Sequence, residues 1–396
     1  MKGKFLRRLG WFFSSPQPPP PSTGGKQRVT FITKGSFSHA NCRILKGLQR
    51  EFPEYDIEQI DLADLLQQNK ALCLLNLFPV LWNYPKELLS RRRSFRECFY
   101  LTPFLFHGLK KAIAARVRPD THHFSLQTQS LHDFSVPGVP HFVYTDHAHL
   151  TNLRYPAFDP TNLLPSKWID LERSIYSNAT RVFVMTHYVE RTLLEDYGCD
   201  PSKVLCIPAG GNTVVREITP EQDRARQLRV LFVGVNWKRK GGPELLEAFL
   251  KIVDRFPEAK LVVVGCNPPV QHPNVEILGK VPLERVEQEY LKAQFFAFPT
   301  RIEPVGFVVI EALMNKLPVI GTPIGILPDM ITDGEDGYLV PSDDVHGLAN
   351  AMAELLQDPA KCRQMGENGY RVARDRTWEA AAAALRKEIN RVLNAP

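Results

Sequence analysis

The chain has 396 residues, of which 44% are hydrophobic and 23% charged, and its formal net charge is +6. This length suits two domains with separate cores, and no apolar run is long enough to cross a bilayer. The seven cysteines are odd in number and have no paired spacing, which argues against a disulfide framework and against a zinc site. We therefore expect reduced thiols and a cytoplasmic protein.

The basic residues are concentrated in the first part of the chain. Residues 1–26 combine basic and aromatic side chains with a proline-rich stretch, which predicts a flexible tail. The stretch 85–118 contains nine bases against Glu87 and Glu97, with aromatic residues interleaved. This pattern favours an anionic membrane surface over nucleic acid as a partner, and thus peripheral attachment at the inner face of the membrane. A helix with an apolar core side and a solvated basic side explains it equally well.

Strands and helices alternate through residues 27–212, which predicts a parallel sheet covered on both faces. Gly35 lies in the loop after the first strand. The predicted strands are Val29–Thr33, Asp56–Ile60, His141–Thr145, Arg181–Thr186 and Val204–Ile207.

Histidines are frequent in this first domain. Asp146 and His147 come directly after a predicted strand, where functional loops of such sheets emerge, and His149 is a weaker candidate. Asp146 could orient either imidazole. The spacing does not give a convincing zinc ligand set. His122, His123 and His132 are expected to be ordinary surface or core residues.

A polar stretch, residues 213–228, is the expected linker to a second domain over residues 229–377. Its predicted strands are Val230–Val235, Leu261–Val264, Glu276–Leu278, Phe295–Phe298 and Val319–Ile320. The acidic turn Asp333–Gly337 has the glycines of a surface turn and is not expected to bind metal.

Two segments of the second domain carry candidate chemistry. In the first, Arg239 and Lys240 follow a buried strand, and glycines and Pro243 then open a helix, which suits a diphosphate. A solvated basic turn is the alternative. In the second, Glu303 lies in a loop and Gly306 opens a helix that contains Glu311. Solvated charges are the alternative for both glutamates.

Together these segments resemble the nucleotide-binding domain of family 4 glycosyltransferases, which have the two-domain GT-B architecture. The likeness runs from about Leu171 to Asp358 through KVLCIPAGGN, FVGVNWKRKGG, LGKVP, EPVGFVVIEALMNKLPVIGT and DGEDGYLVP in the family's order. It implies an α/β protein of two doubly wound Rossmann-like domains that face a central cleft. It also implies that the last helix, within residues 378–396, crosses back to the first domain.

The resemblance implies a role for each matching residue. Arg239 and Lys240 would bind the donor diphosphate, Glu303 the transferred sugar, and Glu311 the ribose. Gly306 and Phe307 would approach sugar and phosphate through their backbone, and Gly279, Lys280 and Val281 would lie against the base. His147 would reach the donor sugar, and Gly35 would stand where the family often has paired glycines. The chain departs from the family pattern at Val305, Asn315 and Asp329.

The function that this resemblance implies is transfer of a hexose from a nucleotide-diphosphate sugar to a hydroxyl acceptor, with retention and without a metal or other cofactor. The acceptor is expected to be a glycan or a lipid-linked molecule in cell-surface polysaccharide or lipid-linked glycan assembly. A nucleotide-sugar epimerase and a non-catalytic nucleotide-sugar-binding protein are the alternatives.

Overall fold

The computed structural model describes residues 26–37, 39–212 and 227–394. The predicted tail, apart from Lys26, and the predicted linker, apart from residues 227 and 228, lie outside the described residues. Within them the chain forms two parallel six-stranded sheets with helices on both sides. This confirms the predicted α/β class.

The first sheet has the strand order β2-β1-β3-β4-β5-β6, and every neighbouring pair is parallel. Its strands are β1 (Arg28–Thr33), β2 (Asp56–Asp61), β3 (His122–Thr128), β4 (His141–Thr145), β5 (Arg181–Val184) and β6 (Val204–Cys206). Its helices are α1 (Ala40–Glu51), α2 (Leu62–Gln68), α3 (Lys70–Leu75), α4 (Leu77–Asn83), α5 (Pro85–Leu89), α6 (Phe95–Tyr100), α7 (Pro103–Ala114), α8 (Ser166–Asn178) and α9 (His187–Glu195). Two 3₁₀ turns, His149–Arg154 and Pro160–Asn162, precede α8.

The second sheet has the order β12-β11-β10-β7-β8-β9, with the chain reversing direction across the sheet between β7 and β10. Its strands are β7 (Arg229–Val233), β8 (Lys260–Val264), β9 (Val275–Gly279), β10 (Phe295–Phe298), β11 (Val319–Gly321) and β12 (Gly337–Leu339). Its helices are α10 (Gly242–Ile252), α11 (Leu283–Lys292), α12 (Phe307–Met314), α13 (Leu327–Met330), α14 (Val345–Gln357) and α15 (Pro359–Ala373). Ligands of such sheets bind beyond the carboxyl ends of the strands at the point of reversal.

The strand predictions differ from the structure mainly at the ends. β5 stops at Val184 and β7 at Val233, each two residues before the predicted end. The helix after β7 begins at Gly242, one residue before Pro243. β3 and β12 were not predicted; β3 buries Ser125 and Gln127, and so lacks an unbroken apolar run.

The last helix, α16 (Trp378–Leu393), packs against α1 of the first domain. Leu385 and Ile389 are buried in the same cluster as Ile44 and Leu48. Gly47 permits the contact, because a Cβ there would lie 2.6 Å from the Cβ of Ala382. The second half of the chain therefore completes the core of the first.

The chain crosses between the domains twice, and the two crossings touch. Gly211 donates its N–H to the carbonyl of Arg376 at 3.1 Å, and the indole N–H of Trp378 donates to Asn212 Oδ1 at 3.1 Å. A Cβ on Gly210 would lie 2.2 Å from the backbone nitrogen of Trp378, so this approach requires glycine. In the part of the chain that the structure describes, no helix has the length and apolar character of a membrane span.

Candidate active site

The loop between β7 and α10 presents Arg239 and Lys240. Asn236 Oδ1 accepts from the backbone N–H of Arg239 at 3.0 Å, and the guanidinium donates to the carbonyl of Ile302 at 2.8 Å. Gly241 ends the loop with φ 72°, and a Cβ there would lie 1.7 Å from the carbonyl oxygen of Pro299. Only glycine lets this loop lie directly against the end of β10.

Lys240 and Glu303 form a buried ion pair. The ammonium contacts Glu303 Oε2, and both side chains are about one-tenth exposed. The Lys240 Nζ also lies 4.9 Å from the ring centre of Phe298, and Glu303 Oε1 accepts from the N–H of Gly306 at 3.0 Å. Burial, and secondarily the neighbouring Arg239, lower the pKa of Lys240. A solvated position is therefore wrong for both residues.

Gly306 is the N-cap of α12 and has φ 70°, a conformation that favours glycine. The loop before it is supported by Gly325, where a Cβ would lie 1.8 Å from the carbonyl oxygen of Glu303. The ring of Phe307 packs between Phe37 and Trp378, with centroids 6.2 and 5.7 Å away. The Phe307 side chain thus joins the two domains, which leaves its backbone for the role predicted from the resemblance.

Glu311 lies one turn further along α12 and is buried. Its carboxylate accepts from the N–H of Asn212 at 3.2 Å and from the hydroxyl of Tyr290 at 3.1 Å. Burial raises the pKa of Glu311 to about 7, and the two hydrogen bonds oppose that shift. The solvated-charge alternative is wrong here too, because this glutamate links α12 to the crossing segment.

The segment Gly279 to Val281 lies at the carboxyl end of the edge strand β9. Gly279 has φ 64°, and a Cβ there would lie 2.5 Å from Asn267 Oδ1. Lys280 is exposed, and Val281 packs partly against the core of the second domain. We call the loop between β7 and α10, which carries Arg239 and Lys240, the cation loop. β8 separates β9 from β7, so the segment Gly279 to Val281 is further from the cation loop than Glu303 is.

A pocket of about 310 Å³ opens at the carboxyl ends of β1, β3 and β4 in the first domain. Pro304, the neighbour of Glu303, forms part of its wall, so the pocket is adjacent to the ion pair of the second domain. Its polar lining includes Lys34, Gln129, Asp146, His147, His149 and Glu172, and Trp168 is its largest apolar wall. The structure therefore brings the histidine loop and the Glu303 loop together.

Gly35 lies beside this pocket. It has φ 62°, its N–H donates to Asp61 Oδ2 at 2.7 Å, and its carbonyl accepts from Asn41 at 2.6 Å. A Cβ on Gly35 would meet open space. Lys34 lines the pocket, with its ammonium 4.7 Å from the ring centre of Tyr100.

Burial is the main cause of the shifted pKa values of three titratable residues in the pocket, Asp146, His147 and His149. It raises the pKa of Asp146 to about 7 and lowers the pKa values of His147 and His149 to about 4. Both imidazoles are therefore neutral at pH 7. Among the described residues, Asp146 makes no hydrogen bond to the ring of His147 or His149. The Nε2 of His149 instead accepts from the N–H of Leu164 at 2.8 Å.

Glu172 on α8 anchors the loop that carries His147 and His149, and it was not among the predicted site residues. Both carboxylate oxygens accept from the N–H of His149, at 3.0 and 3.2 Å, and the hydroxyls of Tyr176 and Tyr197 also donate to them. Burial raises the pKa of Glu172 to about 7. The sequence does not mark this residue, because only Tyr176 is close to it in sequence, and His149 and Tyr197 lie 23 and 25 residues away.

Tyr155 was also missed. It is buried, its hydroxyl has no hydrogen-bond partner among the described residues, and the charges of Arg239 and Asp146 both reach it. Its hydroxyl is therefore one of the buried polar groups of the described residues that protein contacts leave unsatisfied.

Family models match most of the chain. The model of Glycosyltransferase Family 4 matches residues 80–215, and that of Glycosyl transferases group 1 matches residues 216–372. D-inositol 3-phosphate glycosyltransferases of Corynebacterium aurimucosum and Corynebacterium glutamicum are each 30% identical, over 243 and 249 residues. These matches cover 54% and 55% of this chain and 57% and 59% of the relatives, so the chain spans little more than half the length of either.

Solved structures resemble nearly the whole chain. Sucrose-phosphate synthase from Thermosynechococcus elongatus superposes with a TM-score of 0.66 at 18% identity, over 94% of this chain and all of that one. HepE from Anabaena, whose structure was determined with UDP and glucose, superposes with a TM-score of 0.64 at 13% identity, over 92% of this chain and all of that one. These likenesses concern the fold.

Proposed function

The chain belongs to the family 4 glycosyltransferases, and we propose that it transfers a hexose from a nucleotide-diphosphate sugar to a hydroxyl acceptor with retention of configuration. One observation carries the proposal. The Lys240–Glu303 pair lies at the carboxyl edge of the second sheet, and Pro304 beside it walls the pocket that contains His147. Donor and acceptor groups would therefore meet between the two sheets.

Arg239 and Lys240 would stabilise the departing nucleotide diphosphate. Cleavage of the sugar–phosphate bond places negative charge on the phosphate, and positioned cations and backbone amides stabilise it. Lys240 already has Glu303 as a counter-ion, so the arriving diphosphate would share or replace that partner. These two cations can act without a metal, and we expect turnover to persist in EDTA.

Glu303 would accept hydrogen bonds from the hydroxyls of the transferred sugar, and Glu311 from those of the ribose. A neutral His147 can exchange a hydrogen bond with a sugar hydroxyl without adding charge beside the developing cation. With the diphosphate held on one face of the sugar, the acceptor hydroxyl would attack from that same face, which gives retention.

The first-domain pocket would receive the acceptor. Its volume suits a group of monosaccharide size, and the indole of Trp168 offers an apolar wall for a sugar ring. A glycan or lipid-linked acceptor at the cytoplasmic face of a membrane is our proposal. Since the two relatives are D-inositol 3-phosphate glycosyltransferases, an inositol phosphate is a further acceptor to test.

A panel of nucleotide sugars tests this function. Thermal stabilisation should select a donor, and nucleotide release should then depend on the acceptor. UDP-glucose is a rational first donor, since a structural neighbour was determined with UDP and glucose. A changed sugar in the absence of acceptor would indicate an epimerase, and binding without turnover of any acceptor would indicate a binding protein.

A further inference from the structure

An apolar stripe covers the outer side of α3 and α4. Its members are Leu74, Leu75, Phe78, Leu81 and Trp82, which we call the outer stripe. They are 56 to 74% exposed, and the rings of Phe78 and Trp82 stack with centroids 5.9 Å apart. Relative to Leu74 they occupy positions +1, +4, +7 and +8, the spacing of one helix face.

The inner side of the same helices is anchored to the domain. Asn76, at the junction of α3 and α4, is fully buried, donates to the carbonyl of Phe99 at 2.9 Å and accepts from the hydroxyl of Thr102. Val80 is also fully buried. The exposure of the outer stripe is therefore fixed by the fold, since rotating the helices would remove Asn76 from its partners.

The sequence that follows the outer stripe is rich in basic residues. The chain has no acid between Asp64 and Glu87, and five bases follow within residues 86–96. Arg92 and Arg93 are hydrogen-bonded to residues 161 and 162, which holds the segment after α5 against the domain. Leu89 on α5 is a further exposed apolar residue, at 86%, and it lies between Lys86 and Arg91 in the sequence.

We propose that the outer stripe inserts into the interface of an anionic bilayer. Aromatic and leucine side chains beside a cluster of Lys and Arg suit the boundary between acyl chains and anionic headgroups. A second copy of this chain would bring the same five bases and a net charge of +6, and the chain's own residues 1–25 carry four bases and no acid. Either occupant would therefore add like charge. Charge complementarity therefore favours lipid over both.

This surface differs from the one expected from residues 85–118. In that stretch Leu101, Leu105 and Phe106 are buried, so α7 turns its apolar side to the core. Phe95 and Phe104 remain exposed there. α6 contacts α4, and Leu101 just after α6 lines the first-domain pocket, so a membrane held by the outer stripe would lie near the acceptor site.

Flotation of the full-length protein with vesicles tests the proposal. We expect binding to phosphatidylcholine vesicles that contain phosphatidylglycerol, and loss of binding with pure phosphatidylcholine or in high salt. The double variant Phe78→Ser/Trp82→Ser should bind at least about tenfold more weakly, because two large apolar groups no longer leave water. Leu250→Ser/Val372→Ser, at two exposed apolar positions of the second domain, is the matched control and should bind normally.

Three further measurements distinguish the anionic bilayer from the two alternatives, which are residues 1–25 and a second copy of this chain. Glu303→Gln should bind vesicles normally, so lipid binding and the transfer reaction can fail independently. Normal binding by Phe78→Ser/Trp82→Ser together with loss in Arg7→Gln/Arg8→Gln would overturn the proposal in favour of the tail. A concentration-dependent dimer that this stripe variant abolishes, without lipid binding by the wild type, would overturn it in favour of a second copy.

Discussion

At the scale of single residues, the site is held by charges that compensate each other before any ligand arrives. Lys240 and Glu303 are both largely withdrawn from water, and each is the counter-charge of the other. Glu311 and Glu172 instead satisfy their carboxylates with hydrogen-bond donors, and burial raises both pKa values to about 7. The ion pair and the hydrogen-bonded carboxylates therefore lead to different predictions: a loss of stability when one charge is removed, and a pH dependence of ligand binding.

Removing one charge of the ion pair should cost stability. We expect Lys240→Met to lower the free energy of unfolding by about 3 kcal/mol, because Glu303 is left buried without a counter-charge. The double variant Lys240→Met/Glu303→Gln should recover about 1 to 2 kcal/mol of this loss. Urea denaturation at neutral pH measures both, with Lys238→Met, exposed in the same loop, as the control. Equal losses in single and double variants would contradict the coupling.

Nucleotide binding should depend on the protonation of Glu311. Its pKa is raised to about 7, so the protonated form gains population as the pH falls below neutral. Ribose hydroxyls donate best to the ionised form, so binding must release the proton at lower pH. We expect the Kd of a nucleoside diphosphate to rise about tenfold from about pH 8 to about pH 6.

Titration calorimetry of wild type and Glu311→Gln measures this effect. The variant has no proton to release at this position, so its remaining pH dependence reports the titration of the ligand itself. Identical pH profiles for the two proteins would exclude Glu311 from the ribose site.

At the scale of elements, the loops after β7 and β10 are positioned by glycines whose neighbours are backbone atoms. We expect Gly241→Ala to abolish thermal stabilisation by nucleotides and to lower Tm by several degrees, since its Cβ would meet the carbonyl of Pro299 at 1.7 Å. Gly334→Ala is the matched control: its φ of 81° is equally unusual, but no atom lies within 4 Å of the added Cβ. It should show only a backbone strain of about 1 kcal/mol and bind nucleotides normally. Similar Tm shifts in both variants would mean that strain alone matters.

How much the sequence could predict also depends on scale. Strands with unbroken apolar runs, such as Phe295–Phe298, were predicted to the residue, because burial on both faces leaves a continuous signal. β3 was missed because its inward positions include Ser125 and Gln127, which hydrogen-bond within the protein. The apolar residues of α3 and α4 form a pattern that is typical of a core helix. Only the three-dimensional structure shows that one face of these helices is exposed and not packed against the described residues. Glu172 likewise required the fold, since two of its donors, His149 and Tyr197, lie 23 and 25 residues away in the sequence.

At the scale of the whole molecule, the last helix of the chain belongs energetically to the first domain. Leu385 is almost fully buried in the cluster that contains Ile44 and Leu48. We expect Leu385→Ala to lower the free energy of unfolding of the first domain by about 3 kcal/mol, through lost apolar contact and the cavity that remains. The second sheet and its cation loop lie outside this cluster and should be unaffected.

Hydrogen exchange measures the effect of Leu385→Ala on the stability of each domain in one experiment. Amides of α1 should exchange faster in Leu385→Ala than in wild type, while amides of α10 should exchange at the wild-type rate. Lys387→Ala, an exposed position on the same helix, should change neither. If α10 lost protection together with α1, the two domains would unfold as one unit, and the touching crossings at Asn212 and Trp378 would then transmit stability across the cleft. Retained protection in α10 would instead leave the second domain able to bind nucleotide while the first is loosened.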